Sequence, residues 1–222
     1  MGLHRASLGL GRRRAEGIIA PCSPSRHDPV SGAVIFLTGL SGAGKSTIAE
    51  ALAADLRATG QAVSIIDGDV LRQHVSADLG FDAASREANV RRAAELAATG
   101  AAAGDIVISA LIAPFERSRR EARAIVEKAA PFLLVYVSTP LDVAESRDPK
   151  GLYRRARAGE IADFTGIDSP YEPPLYADLV LDTSITTVPD SVIRIRALLD
   201  HALKDHRLED RAPNDEPGGS RG

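Results

Sequence analysis

One loop near the start of the chain has the residue types and spacing to hold phosphate. Residues 39–46 read GLSGAGKS, which fits the pattern G-x-x-x-x-G-K-[ST] at every fixed position. An apolar run at 34–37 comes before the loop, and residues 48–52 follow it at helical spacing. Glycines let backbone N–H groups turn toward an anion, and a helix start adds its positive end. The pattern predicts a nucleotide site in which Lys45 reaches the outer phosphates and Ser46 joins Mg²⁺. The alternative is a Gly-rich turn that binds nothing.

Two carboxylates follow the next apolar run. Asp67 and Asp69 come directly after residues 63–66, at the predicted carboxyl end of a strand. Ligands of open α/β sheets bind beyond these strand ends, so both carboxylates are expected near the phosphates. A carboxylate there can accept a proton from an attacking hydroxyl or hold Mg²⁺. Asp-Gly-Asp is also ordinary turn chemistry, and Asp69 could cap the following helix.

Basic residues form a third group. Arg72 lies three residues after Asp69, and Arg86, Asn89 and, less squarely, Arg92 share one face of a predicted helix. Guanidinium groups suit phosphate or sulfate oxygens, although an arginine-bearing helix face is more often simply solvated. The basic, Pro- and Gly-containing stretch 148–175 is predicted to be a mobile lid over the phosphates. The alternative for this stretch is an ordinary surface loop.

The elements that must position these groups alternate along the chain. Strands are predicted at 33–38, 62–66, 105–110, 132–137 and 178–182. Helices are predicted at 45–58, 70–78, 85–103, 115–129, 141–147, 150–159 and 188–205. Near-continuous apolar strands separated by helices indicate a sheet covered on both faces. We therefore expect an α/β, three-layer fold of the P-loop NTPase type, with a mostly parallel sheet of about five strands and a mobile lid.

Composition restricts the class of protein further. The chain has 222 residues, 44% of them hydrophobic, and a formal net charge of -3, which does not favour nucleic acid or an anionic membrane as partner. Its one cysteine, Cys22, cannot form an intrachain disulfide, so a cytoplasmic location is expected. Residues 31–206 are predicted to form one domain, between a basic tail at 1–30 and a charged tail at 207–222, both expected to be disordered.

Several runs together point to a known family. The chain resembles the adenylyl-sulfate kinases (APS kinases) from about residue 30 to residue 202. The matching pieces are 39–47, 67–69 with 72, 78–81, 86 with 89, 91 and 92, 112–115, RDPKGLY at 147–153, and FTGIDSPYE at 164–172. The last two runs are far more specific than the phosphate loop.

The resemblance implies an activity and a set of roles. It implies ATP-dependent phosphorylation of the 3′-hydroxyl of adenosine 5′-phosphosulfate (APS), with Mg²⁺ carried by ATP and a homodimer as a possible assembly. The implied ATP-binding residues are Gly39, Leu40, Ser41, Gly42, Ala43, Gly44, Lys45, Ser46, Thr47 and Arg147. The implied catalytic residues are Lys45, Asp67 and Asp69, and the implied metal-site residues are Ser46 and Asp69. The implied APS-binding residues are Asp69, Arg72, Phe81, Arg86, Asn89, Ile112, Lys150, Leu152 and Phe164, with Phe81 and Phe164 stacking on the adenine.

One position departs from the family pattern. Ala113 stands where many members carry a serine that has been labelled a phosphorylated intermediate. Alanine cannot carry a phosphoryl group, so the expected reaction is direct transfer from ATP to the acceptor hydroxyl. Two alternatives are another small-molecule P-loop kinase, of the gluconate or nucleoside-phosphate type, and a nucleotide-binding regulatory module without catalysis.

Overall fold

The sheet is the element on which every candidate residue depends. The computed structural model describes residues 32–211. Its five strands are β1 (Ala33–Thr38), β2 (Val63–Asp67), β3 (Ile106–Ala110), β4 (Phe132–Val137) and β5 (Leu179–Leu181). They pair in the order β2-β3-β1-β4-β5, and every pairing is parallel. The predicted α/β sheet is confirmed, and all carboxyl ends of its strands lie on one edge.

Seven helices connect or flank these strands in the described range. They are α1 (Lys45–Ala58), α2 (Gly68–His74), α3 (Ala83–Ala102), α4 (Glu116–Val126), α5 (Leu141–Arg147), α6 (Leu152–Arg157) and α7 (Val188–Arg211). No helix of the described part of the chain is long and apolar enough to cross a membrane.

The two faces of the sheet carry separate cores. On β1, Ile35 and Leu37 pack with residues of α1 and α7, whereas Val34 and Phe36 pack with residues of α3 and α4. All four side chains are fully buried, and each contributes on the order of 1.5–3 kcal/mol relative to an exposed position. The near-continuous apolar strand sequence arises because helices cover both faces, which gives the three layers predicted.

Several predicted bounds differ from the structure by one to three residues, and the largest differences are at α2 and α7. The helix predicted at 70–78 is α2, which begins at Gly68 and ends at His74. It begins early because the Asp67 side chain caps it, and it ends early because Val75 N and Ser76 N both donate to Leu71 O. The last helix continues to Arg211, inside the predicted C-terminal tail. The predicted tail at 1–30 lies outside the described residues, as does the rest of 207–222.

Candidate active site

The phosphate loop connects β1 to α1 in the backbone shape that anion binding needs. Gly44 is the N-cap residue of α1 with φ 100°, and Gly42 has φ 72°. A side chain at Gly42 would place its Cβ 2.7 Å from the carbonyl oxygen of Ala144, so glycine is required there on both grounds. No side chain caps the start of α1. Its first amide groups, including those of Ser46 and Thr47, are therefore available to phosphate oxygens.

Lys45 lies inside this loop. Its ammonium donates to the carbonyl oxygens of Gly39 at 2.9 Å and Leu40 at 2.8 Å, and the residue is only 8% exposed. Burial lowers the pKa of Lys45 to about 8, although the carboxylates of Asp69 and Asp67 act in the opposite direction. Backbone carbonyls of the loop thus hold the Lys45 ammonium in this conformation.

Asp67 joins the second strand to the phosphate loop. Its Oδ2 accepts a hydrogen bond from the Ser46 hydroxyl at 2.7 Å, and its Oδ1 accepts from Asp69 N at 2.9 Å. Asp67 is therefore the N-cap of α2, and the suggestion that Asp69 caps this helix is wrong. Asp69 lies in the first turn of α2, and its carboxylate is bound by the ammonium of Lys150. The two carboxylates face different partners, the first the phosphate loop and the second the predicted lid.

The oxygens beside the loop fit a hard divalent cation. A hydroxyl and carboxylates are ligands that Mg²⁺ accepts, and this ion keeps waters and substrate phosphates as further ligands. Within residues 32–211 no group of three or more His, Cys, Asp or Glu side chains is arranged to hold a metal. The Ser46 hydroxyl and the Asp67 carboxylate are the groups that would hold a Mg²⁺ brought by a nucleotide. Asp67, rather than Asp69, is the carboxylate that contacts Ser46.

Hydrogen-bonded side chains lie behind the phosphate loop. Arg147 donates to Thr183 Oγ1 and Thr183 O, both at 2.8 Å. The Thr183 hydroxyl in turn donates to Ala43 O at 2.9 Å, and Thr139 donates to the same carbonyl at 3.1 Å. Arg147 thus lies beside the phosphate loop, which it contacts through Thr183.

Arg72 covers one face of the Phe81 ring. The guanidinium carbon lies 4.6 Å from the ring centroid, and Nη1 donates to Gly80 O at 2.7 Å. The Phe81 side chain is 65% exposed, which is unusual for a phenylalanine in a packed domain. An aromatic ring held at the surface by an arginine can stack on a flat ligand.

Arg86 and Asn89 lie on the buried face of α3. Arg86 donates to Phe81 O and to Thr165 Oγ1, both at 2.6 Å, and also to Asp163 O. It therefore fastens residues 163–165 to α3 in this conformation. Asn89 is 5% exposed, and its Oδ1 has no hydrogen-bond partner among the described residues.

Arg92 lies apart from Arg86 and Asn89. It forms a bidentate ion pair with Asp78 at 2.5 and 2.8 Å. The face predicted from helical spacing therefore holds Arg86 and Asn89 but not Arg92.

The remaining predicted acceptor residues lie where β3 ends and where α6 begins. Thr38 Oγ1 donates to Ile112 O at 2.7 Å, and Ala113 is buried with φ 42°. Leu152 begins α6 and is half-buried, and Phe164 is half-buried in the turn after it. Lys150 reaches Asp69.

Three further side chains that contact this region were not predicted from the sequence. Arg119 is 1% exposed and donates to Ala113 O and Glu172 O, both at 2.7 Å. The Tyr171 hydroxyl is 3.0 Å from Thr38 Oγ1, and the Tyr153 hydroxyl donates to Ser41 O at 2.9 Å. Both tyrosines fall in the specific runs at 147–153 and 164–172, which could have drawn attention to them. The sequence does not distinguish Arg119, because the arginine-rich stretch around it predicts a solvent-exposed helix.

Comparison with known proteins agrees with this geometry. The model of the family described as adenylylsulphate kinase matches residues 31–182. The chain belongs to the adenylylsulphate kinase family. An adenylyl-sulfate kinase of Paraburkholderia xenovorans is 54% identical over 168 residues, covering 76% of this chain and 93% of the relative.

Solved structures extend the comparison to three dimensions. An APS kinase of Mycobacterium tuberculosis, in complex with AMPPNP and APS, has a TM-score of 0.75 at 41% identity, over 77% of this chain and 98% of that one. A gluconokinase of Sinorhizobium meliloti has a TM-score of 0.53 at 18% identity, covering 82% of this chain and 99% of the neighbour. The second likeness shows a shared fold alone.

Proposed function

We propose that this protein transfers the γ-phosphoryl group of ATP to the 3′-hydroxyl of APS, giving 3′-phosphoadenosine 5′-phosphosulfate and ADP. The observation that carries the proposal is the high identity to an adenylyl-sulfate kinase over 93% of that relative's length. The contacts support it, because the phosphate loop and the Asp67–Asp69 turn meet at one edge of the sheet. Donor phosphates and an acceptor hydroxyl can be held together there.

The transfer needs positioning and charge neutralisation more than covalent chemistry. The acceptor oxygen attacks the γ-phosphorus, the bond between this phosphorus and the β,γ-bridging oxygen breaks, and ADP leaves. Lys45 turns from the carbonyls of Gly39 and Leu40 to the outer phosphates. Asp69 leaves Lys150 and accepts the proton of the acceptor hydroxyl, and Lys150 is then free for the sulfate or phosphate end. Ser46 and Asp67 would hold Mg²⁺, which supplies further charge neutralisation at the phosphates when bound.

The acceptor residues divide into two groups in this proposal. Phe81 and Phe164 stack on the adenine, and Ile112 and Leu152 close the pocket around it. Arg72, Arg86 and Asn89 bind the phosphosulfate end. For Arg86 this means exchanging at least one protein acceptor for a ligand oxygen, since its three nitrogens donate within the protein in this conformation.

The domain bounds, the lid, the assembly and the location of the protein are also part of the proposal. Residues 31–206 are the catalytic domain, and 148–175 act as a lid that excludes water from ATP. Self-association into a homodimer, tested by light scattering, and a cytoplasmic location are further parts of the proposal.

The experiment is a product analysis. Purified protein is incubated with ATP, Mg²⁺ and APS, and ADP and the 3′-phosphorylated nucleotide are followed by chromatography. Equal amounts of both products are expected, and Lys45→Ala, which removes the phosphate cation, should make neither. ADP without the second product would indicate another acceptor, as in the gluconate- or nucleoside-phosphate-type alternative. Nucleotide binding without either product would indicate a regulatory module.

A further inference from the structure

Tyr153 lies between the donor loop and the acceptor aromatic ring. Its side chain is 1% exposed, and it is among the largest fully buried side chains of residues 32–211. The hydroxyl donates to the carbonyl oxygen of Ser41, which belongs to the phosphate loop. The ring meets that of Phe164 edge to face, with centroids 5.0 Å apart and planes at 78°. One side chain therefore contacts both a nucleotide-binding segment and the ring proposed to stack on the acceptor base.

Both ends of this connection are fixed by the backbone. Tyr153 N donates to Asp148 Oδ1 at 3.1 Å, and Gly151 with φ 64° precedes the helix that carries the tyrosine. Phe164 N donates to Asp168 Oδ1, and Phe164 O accepts from three amides, those of Ile167, Asp168 and Ser169. The turn fixes the backbone of Phe164, and the Tyr153 ring packs against the Phe164 ring.

Nucleotide binding can fix the position of the Ser41 carbonyl. Amides of the phosphate loop must face the phosphates, and this fixes the peptide planes of the loop. The carbonyl that Tyr153 uses is part of one of these planes. A loop held by phosphates therefore offers the tyrosine hydroxyl a fixed acceptor, and the ring is then held in place against Phe164.

We propose that Tyr153 is a positioning residue that couples the two substrate sites, setting the Phe164 ring for the acceptor base when nucleotide holds the phosphate loop. This inference deepens the proposed function and rests on it. It assigns to Tyr153 no contact with either substrate. Its effect must therefore pass through Phe164 and must depend on nucleotide.

Tyr153→Phe tests the inference because it removes only the hydroxyl and keeps the ring. APS affinity is measured by calorimetry with and without saturating Mg²⁺–AMPPNP. In the wild type, we expect AMPPNP to tighten APS binding. In Tyr153→Phe, we expect APS binding in the presence of AMPPNP to weaken about five- to tenfold, the size of one buried hydrogen bond. AMPPNP binding alone should stay within about twofold, and its stoichiometry reports the folded fraction. Tyr176→Phe is the control, because Tyr176 is 80% exposed.

A double-mutant cycle separates positioning from a general loss of structure. Phe164→Leu removes the stacking ring, and Tyr153→Phe should then weaken APS binding by less than about twofold further. If Tyr153→Phe still weakened APS binding about five- to tenfold in the Phe164→Leu protein, the inference would be overturned. An unchanged APS affinity and an unchanged effect of AMPPNP in Tyr153→Phe alone would overturn it as well. Wild-type protein that does not bind APS would instead overturn the proposed function, so the two failures are distinguishable.

Discussion

At the scale of single residues, the buried ammonium of Lys45 makes nucleotide binding depend on pH. Its pKa of about 8 in the free protein lies below the usual value because of burial. Phosphates favour the charged form, so the pKa rises on binding, and above pH 8 binding must take up a proton. We expect the Kd for Mg²⁺–AMPPNP to rise by up to about tenfold per pH unit above roughly pH 8 and to change little below it.

Calorimetry in buffers of different ionisation enthalpy checks both the slope and the proton uptake. Lys45→Arg is the matched variant, because its guanidinium stays charged throughout this range. The Kd of the Lys45→Arg protein for Mg²⁺–AMPPNP should not change from about pH 7 to about pH 9.5, whatever its absolute value. The same slope in Lys45→Arg would assign the titration to another group.

Substitutions of Asp67 and Asp69 are expected to have different effects on the kinetics. Asp67→Asn keeps a helix-capping side chain but weakens the oxygen site beside Ser46, so its main effect should be a higher Mg²⁺ requirement. Asp69→Asn should lower kcat by about 10²–10⁴-fold, the size of a lost general base, with ATP binding little changed. Steady-state kinetics at varied Mg²⁺ and ATP distinguishes the two. Interchanged phenotypes would reverse the roles proposed for the pair.

Replacing Ala113 with serine tests whether the reaction uses a side chain that carries the phosphoryl group. The residue is buried, and its φ of 42° is unusual for a residue other than glycine. Direct transfer requires nothing from this side chain, so Ala113→Ser should change kcat by less than about threefold. Radiolabelled ATP should leave no acid-stable label on either protein. A large gain in kcat with a labelled serine would contradict direct transfer.

At the scale of elements, Arg119 of α4 joins the segment after β3 to the end of the proposed lid. It is 1% exposed and donates to Ala113 O and Glu172 O. Arg119→Met keeps an unbranched chain but removes the Arg119 hydrogen bonds to both carbonyls and its ion pair with Glu116 at 2.7 Å. This should lower the free energy of unfolding by about 2–4 kcal/mol. Urea unfolding measures this difference.

The neighbouring residue of α4 is the control for Arg119. Arg120 pairs with Glu116 at 3.2 Å, and its side chain is 65% exposed. Arg120→Met should change the free energy of unfolding by less than about 0.5 kcal/mol, because exposed ion pairs contribute little. Equal effects of the two substitutions would mean that burial of Arg119 does not determine its contribution.

The elements also show how far a sequence can be interpreted. Strands β1 and β4 were predicted with their observed bounds, because near-continuous apolar runs bounded by turn residues leave few alternatives. The phosphate loop was equally clear, because glycine and lysine at fixed spacing serve one backbone shape. The end of α2 and the burial of Arg119 were missed. Helical periodicity contains neither the hydrogen bonds to Leu71 O that end α2 nor the contact of Arg119 with Glu172, a residue distant in sequence.

At the scale of the whole molecule, strand order brings the predicted site residues together. The sequence predicted parallel strands, but the position of β1 between β3 and β4 became known only from the pairings. This order places the phosphate loop beside the end of β3, where Ile112 and Ala113 follow, and one strand away from Asp67. Which carboxylate meets Ser46, and which meets the lid, depends on side-chain geometry that spacing does not determine.

The stretch 148–175 contacts the rest of the molecule through a weak, exposed ion pair in its first part and through buried or half-buried hydrogen bonds in its second part. This difference predicts which part opens more readily. The first part of the stretch is held at Asp69 by Lys150, and both side chains are more than half exposed, so this pair contributes at most about 1 kcal/mol. Its second part is held by Arg86, Arg119 and Tyr171, whose contacts are buried or half-buried. The free protein should therefore open more readily at 148–152 than at 163–172.

Hydrogen exchange followed by mass spectrometry measures this difference. In the free protein we expect amides of 148–152 to exchange at least about tenfold faster than those of 163–172, and Mg²⁺–AMPPNP with APS should slow the first part more than the second. Amides of β1 and β4 are the internal control, because both strands lie inside the sheet and should not respond. Faster exchange at 163–172 would mean that the buried arginine contacts do not anchor the proposed lid. Opening confined to the weakly held part would let Asp69 exchange Lys150 for the acceptor hydroxyl while the Phe164 turn stays in place.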